Sequence, residues 1–414
     1  MFDNVLYQSA CDLLSDDIKK NVLPPSLLFS GPNASGKLTC ALETARVLSC
    51  REQQKGAWNC KCPSCTKQKA LLASNVLLMG PGEKTLEISA AKNTLLNQAY
   101  NNSTHIEAAR YLFLRAVRKL TLRFNAVLWD GEDKLSKFSP LLQAIDEELE
   151  KIEIGRQLPE NDELKLILDS VEKNAQMLEE KFLYSSIPVS QIRNCSAWAH
   201  LKSGEEKKII IIENADCMAE SAKNALLKIL EEPPEDTVFV LTTTRRSSMM
   251  QTILSRVRTY NFFERNQKQQ QEVITRVFHY QAGYTDSMPE TVDLFLKGYL
   301  PVKPEKIINE GRNFFITLAE GHVSDLSILA KNCNDFEPKI LFSLFVDGII
   351  DAQKGLCTSP AGCECSAKIL EILRKCFMNV NIMNQNIICA LDGLSRDLLI
   401  LNKTNENVFK EVLK

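Results

Sequence analysis

Apolar residues along the chain follow two rhythms. Short unbroken runs, Leu27 to Phe29, Ile209 to Ile212 and Thr237 to Leu241, are too brief for helices and end in polar, Gly or Pro residues. Such runs predict strands of a parallel sheet covered on both faces. Spacings of three and four predict helices elsewhere: Leu42, Ala45 and Leu48 after Gly36, and Ala219 to Leu230, which stops before Pro233-Pro234. From Glu83 to about Ser185 the strand signal lapses. Phe113, Val117, Leu120 and Phe124 share one helical face there, and the amphipathic stretches FSPLLQAIDEELEKIEIG and NDELKLILDSVEKNAQMLEEKF follow, broken by Gly155 and Pro159. This predicts an insertion of two or three helices. The run IPVSQIRNCSAWA (187–199) resumes the α/β pattern, and from Arg265 onward the spacings are helical almost throughout.

With 414 residues, two or three domains are expected at roughly 150 residues each. Apolar content of 44%, charged content of 25% and a net charge of −2 describe a water-soluble globular chain with no global electrostatic pull toward nucleic acid. The first residues, MFDNVLYQSACDLL, carry neither a basic leader nor an apolar core, and no later run reaches the ~18 apolar residues of a membrane span. A cytoplasmic protein that uses no membrane is the expectation, its 14 cysteines reduced thiols apart from any metal site.

Two stretches carry chemistry. In PPSLLFSGPNASGKLTCALETARVLSC a short strand runs through a Gly-rich turn into a helix. That is the setting in which Gly31 and Gly36 free backbone N–H groups to converge on phosphate, the helix N-terminus adds its dipole and Lys37 reaches the terminal phosphates. The hydroxyl that ordinarily follows this lysine and holds Mg²⁺ is replaced by Leu38; Thr39 lies one residue on, rotated by about 100°. In CREQQKGAWNCKCPSC the thiols of Cys50, Cys60, Cys62 and Cys65 suit tetrahedral Zn²⁺ in a closed structural site. The tight Cys60-x-Cys62 spacing leaves open a ligand from elsewhere, and the alternative is four cysteines packed as small hydrophobes. Cys357, Cys363 and Cys365 lack a nearby fourth ligand and are read as ordinary thiols. Arg115, Arg118, Lys119 and Arg123 lie largely off the apolar face of their helix, where either a DNA backbone or, more simply, solvent and the acidic helices that follow would meet them.

LPPSLLFSGPNASGK, the four-cysteine stretch, ENADCMAESAKNALLKILEEPPEDTVFVLTTT and TILSRVR together resemble the bacterial DNA polymerase III clamp-loader subunits of the AAA+ class, the gamma/tau ATPase and its delta-prime relative. The resemblance covers residues 1–82 and 186–264, leaves 83–185 outside the common pattern, and reaches 265–414 only through helical character. It implies an α/β P-loop AAA+ domain with a parallel sheet and a zinc module, then an all-α lid (265–325) and a helical collar for oligomerisation (326–414). It implies nucleotide contacts at Gly31, Asn33, Gly36, Lys37, Leu38, Thr39 and Glu213. It implies zinc on Cys50, Cys60, Cys62 and Cys65, and it implies that Arg256 is an arginine finger offered in trans to a neighbouring subunit's ATP.

Departures from the family pattern point to the delta-prime type. The metal-binding Asp and the water-activating Glu expected after Ile212 are Glu213 and Asn214, and an amide cannot accept a proton. Lys303 to Gly321 lacks the Gly-x-x-Arg-like sensor, and Ser255-Arg256-Val257 keeps the Ser and Arg of Ser-Arg-Cys. The expectation is a non-hydrolysing, nucleoid-associated ring subunit. Its expected partners are the gamma/tau ATPase, delta, the sliding clamp and, through the complex, primed DNA. ATP is either held weakly and without hydrolysis or absent from a relic site. The rivals are an active gamma/tau-type ATPase and a stand-alone nucleotide-sensing scaffold.

Overall fold

The computed structural model describes residues 1–82, 84–202, 204, 206–280, 288–323, 338–381 and 385–409. The chain divides into two compact units, Met1–Leu296 and Lys297–Lys414. The expected boundaries at Glu83 and at 325/326 lie outside the described residues.

In the first unit the strands β1 (Ser26–Ser30), β2 (Val76–Met79), β3 (Lys208–Ile212), β4 (Thr237–Thr243) and β5 (Arg258–Asn261) form one sheet in the order β2-β3-β4-β1-β5, parallel throughout. Strand residues alternate between two cores, as a period of two requires. Leu27, Phe29, Ile209, Ile211, Val238 and Val240 pack on the side of α1 (Ala10–Lys19) and α2 (Lys37–Ser49). Leu28, Ile210, Ile212, Phe239 and Leu241 face the opposite layer, which includes α8 (Val189–His200) and α9 (Glu220–Glu231). Full burial on both faces explains why these strands read as unbroken apolar runs.

Between β2 and α8 stand four long helices where two or three were expected: α4 (Thr85–Tyr100), α5 (Ile106–Thr121), α6 (Leu135–Lys151) and α7 (Asn161–Phe182). Helix α4 carried too weak an amphipathic stripe to stand out, because it is covered on several sides by α5 and α7. The basic positions of α5 correct a second expectation. They are not a solvated face. Arg118 and Arg123 are buried; Arg115 donates to Lys69 O and Arg118 to Ala70 O, at the C-terminal end of α3 (Pro63–Lys69), and Lys119 pairs with Glu87. The acidic stretch contributes one partner, Glu153 to Arg118. With these charges spent inside the unit, α5 offers no DNA-facing stripe.

In the second unit, helices Pro304–Ala319 and Pro338–Gln353 approach closely through glycine. A Cβ on Gly311 would lie 2.0 Å from Phe345 O, and one on Gly348 would lie 2.0 Å from Ile308 O. Asn402, on helix Ile387–Thr404, donates to Leu318 O and Ala319 O and so satisfies the end of the first of these helices. No helix among the described residues is long and apolar enough to cross a membrane.

Candidate functional site

Parallel strands bring their C-terminal ends to one edge, where open α/β sheets place ligands. Ser30 lies opposite Thr243 in register, so the loop after β1 sits beside the ends of β4 and β3. Gly31 N donates to Thr243 O at 3.2 Å, and a Cβ at Gly31 would lie 2.3 Å from Phe262 O, so only glycine fits. Gly36 takes φ +94° as it opens α2, a left-handed conformation that favours glycine.

Lys37 folds back on this loop. Its Nζ donates to Gly31 O at 2.7 Å, to Pro32 O and to Ser35 Oγ at 3.3 Å. Burial lowers its ammonium to about 8, with Glu213 and Asp216 pulling the other way. Asn33 is exposed, while Leu38 and Thr39 are half-buried, Leu38 against the core under α1 and α2. From behind, Arg265 locks the loop. Its buried guanidinium donates to Ala34 O at 2.8 Å, Ser35 O at 3.0 Å and Leu6 O at 2.9 Å. Gln8 adds a reciprocal pair of bonds with the backbone of Phe263.

Glu213 closes β3, its N–H donating to Met79 O at 2.8 Å. Both carboxylate oxygens are taken: Oε1 by Lys84 Nζ at 3.1 Å, Oε2 by Arg123 Nη2. Burial acts to raise this carboxyl, and Lys84 and Arg123 outweigh it, leaving it below the ordinary glutamate value. The loop 80–82 wraps the residue so closely that a Cβ on Gly80 would lie 2.1 Å from Glu213 O. Both cations are seated by the inserted helices. Lys84 N donates to Glu179 Oε2 of α7 at 2.8 Å; Arg123 also donates to Gly80 O at 3.0 Å and to Lys119 O. Asn214, at φ 51°, donates from Nδ2 to Pro81 O at 3.1 Å and from its N–H to Thr242 Oγ1 at 3.1 Å. Asp216 is buried and accepts from Thr243 Oγ1 at 2.8 Å and Arg245 Nε at 3.3 Å.

Lys84, Arg123 and Arg265 were not singled out as site residues from the sequence. The basic spacing that continues from α5 is the signal for Arg123, which lies in the turn after the helix and meets Glu213 rather than solvent.

The four thiols of Cys50, Cys60, Cys62 and Cys65 converge, every Sγ within 4.8 Å of the others. Cys50 and Cys60 sulfurs are 3.8 Å apart. Zn–S bonds of about 2.3 Å at tetrahedral angles put sulfurs about 3.8 Å apart, so the cluster fits Zn²⁺ without a ligand from elsewhere. Backbone N–H groups turn inward: Cys65 N points to Cys62 Sγ at 3.4 Å and Cys62 N to Cys60 Sγ at 3.5 Å. Burial pushes the Cys62 thiol up, but N–H groups from Arg51 and Cys65 outweigh it and bring it to about 7. Arg46 of α2, fully buried and paired with Glu43 of the same helix, ties the module to α2 by reaching Cys65 Sγ at 3.4 Å, Ala57 O at 3.0 Å and Gly56 O at 2.8 Å. Cys357, Cys363 and Cys365 form no such group among the described residues.

Arg256 follows the short helix Gln251–Leu254 and is exposed. Nη2 donates to Glu231 Oε1 at 2.8 Å and Nη1 to Thr252 O at 2.8 Å. These partners belong to neither the β1 loop nor the end of β3.

The family model described as DNA polymerase III, delta subunit, matches residues 7–129 and 141–266, more than half of the chain. The match runs through most of the helices expected to lie outside the common pattern. The delta-prime subunit of Bacillus subtilis DNA polymerase III is 38% identical over 101 residues, 22% of this chain and 31% of that one. The tau subunit of the same organism is 44% identical over 55 residues, 13% of this chain and 10% of that one. The matched stretch thus spans less than a third of either relative's own length. A solved DNA polymerase III gamma subunit-related protein from Thermotoga maritima superposes at TM-score 0.30 with 18% identity, over 52% of this chain and 80% of that one. On the family match and the delta-prime and tau relatives, and with a P-loop-type turn at the edge of a parallel sheet, this chain belongs to the DNA polymerase III delta subunit family and is delta-prime-like.

Proposed function

We propose that this chain is a non-hydrolysing, delta-prime-type subunit of the DNA polymerase III clamp loader. The observation that carries the reading is Asn214. It directly follows the strand-end carboxylate, where a proton acceptor for water is needed, and its amide is spent on Pro81 O. Lys37 folded onto its own loop and Leu38 in place of a hydroxyl support the same conclusion. In this reading residues 265–325 act as a lid and 326–414 as a collar within a ring that also contains the gamma/tau ATPase and delta. The ring loads the sliding clamp on primed DNA in the nucleoid. The cysteine module holds one structural Zn²⁺. ATP, where it is bound at all, is neither hydrolysed nor tightly held by Gly31, Asn33, Gly36, Lys37, Leu38, Thr39 and Glu213.

Arg256 is the contribution to catalysis. Its exposure leaves it free to exchange Glu231 for a neighbour's phosphate, and an arginine supplied in trans is worth roughly 10³ to 10⁵ in GTPases. Arg256→Ala should leave ring assembly intact and lower ATP turnover by the reconstituted complex. Unchanged turnover removes the trans role. The similarity to tau favours a second reading, an active gamma/tau-type ATPase. Steady hydrolysis by the purified chain, abolished by Lys37→Ala, would establish that reading instead.

A further inference from the structure

A divalent cation at a loop of this kind is ordinarily held by the hydroxyl after the loop lysine and by a carboxylate at the end of a nearby strand, here β3, one strand beyond β4. Neither donor fits here. Leu38 has no oxygen to give. Glu213, only 9% exposed, has one oxygen on Lys84 and the other on Arg123. Asp216, the next acid along, is committed to Thr243 and Arg245. Four cations, Lys37, Lys84, Arg123 and Arg245, face three carboxyls, Glu213, Asp216 and Glu179, so the site is positive on balance, which repels a metal ion and suits a polyphosphate.

The cations are built in rather than incidental. Lys84 is fixed because Glu179 of α7 caps its backbone N–H, and Arg123 because its guanidinium also spans Gly80 O and Lys119 O while its own carbonyl accepts from Trp129 Nε1 at 2.8 Å. Every one of these supports lies between β2 and α8. We propose that Lys84 and Arg123 permanently occupy the place of the divalent cation, so that the inserted helices α4–α7 are an internal closure of the metal site and any nucleotide on the β1 loop is bound without metal. This deepens the non-hydrolysing reading of the same site but is independent of Arg256.

The test is an ATP titration of the full chain, followed by its melting temperature, once in Mg²⁺ and once in EDTA. The wild type should give the same response to ATP, large or nil, in both. The Lys84→Met/Arg123→Met double variant, its fold checked by circular dichroism, should bind ATP roughly tenfold more tightly with Mg²⁺ than with EDTA, the scale of one charge-assisted contact. A Mg²⁺-dependent response in the wild type overturns the proposal. So does a double variant as indifferent to Mg²⁺ as the wild type. If the double variant fails to fold, Lys84→Met alone frees Oε1 and should show the same Mg²⁺ preference at smaller amplitude; its absence is equally decisive. None of these outcomes bears on turnover of the ring with Arg256→Ala, so the two readings fail separately.

Discussion

Replacing Arg123 by Met puts a number on the Glu213 clamp. The Arg123 side chain is 1% exposed and the Glu213 side chain 11%, so solvent cannot take over the lost contact. Removing one member of a buried ion pair costs about 3–5 kcal/mol. Lys84 remains on the other oxygen and pulls the figure toward the low end; the stranded carbonyls of Gly80 and Lys119 push it back up by about 1 kcal/mol each. A loss of about 3–5 kcal/mol at neutral pH is expected for the first unit. Urea unfolding followed by tryptophan fluorescence reads that unit alone, because the chain's 3 tryptophans, Trp58, Trp129 and Trp198, all lie within it. The carboxyl of Glu213 is held below the ordinary glutamate value near ~4.3, so the clamp's stabilisation is complete above that pH and is lost as pH falls through the lower folded value. The gap between wild type and variant should therefore narrow as the pH falls below the ordinary glutamate value. A loss below about 1 kcal/mol at pH 7, the scale of an exposed pair, or a gap that stays constant into acid, would refute the assignment.

Metal analysis should find about one zinc per chain and almost none in the Cys62→Ser/Cys65→Ser double variant, which loses two ligands of a four-thiolate set; equal contents would return the cluster to simple packing. Lys37 gives a basic-side signature. With its ammonium lowered to about 8, the folded chain sheds this proton before the unfolded chain does, near ~10.4, so its contribution to stability rises with pH across that interval. Urea midpoints of Lys37→Met should lack that rise, and parallel profiles for variant and wild type would contradict the buried, self-bonded lysine.

What was legible in the sequence was local. The strands at Ile209 and Thr237, the turn from Gly31 to Lys37 and the cysteine cluster each announce themselves within a few residues, because backbone geometry and ligand spacing are short-range constraints. The clamp was not legible. Arg123 lies 90 positions before Glu213 and Lys84 129 before it, and an ion pair across such distances leaves no periodic trace. Amphipathicity is no better guide: a polar residue off the apolar stripe of α5 reads as solvated, whereas Arg115 and Arg118 meet backbone carbonyls of the neighbouring module. Arg265 escaped for a related reason, since its partners Leu6, Ala34 and Ser35 are all backbone oxygens that any residue type would present.

Helix α5 joins the cysteine module to the end of β3. Near its middle it hangs from the last carbonyls of α3, the helix whose Cys65 belongs to the thiolate set, and just past its end Arg123 grips Glu213. At 1.5 Å per residue the span from Arg115 to Arg123 is about 12 Å of stiff rod. Zinc on the four thiolates would therefore brace one end of a rod whose far tip rests on the strand-end acid, and its removal is expected to weaken a contact that no zinc ligand touches.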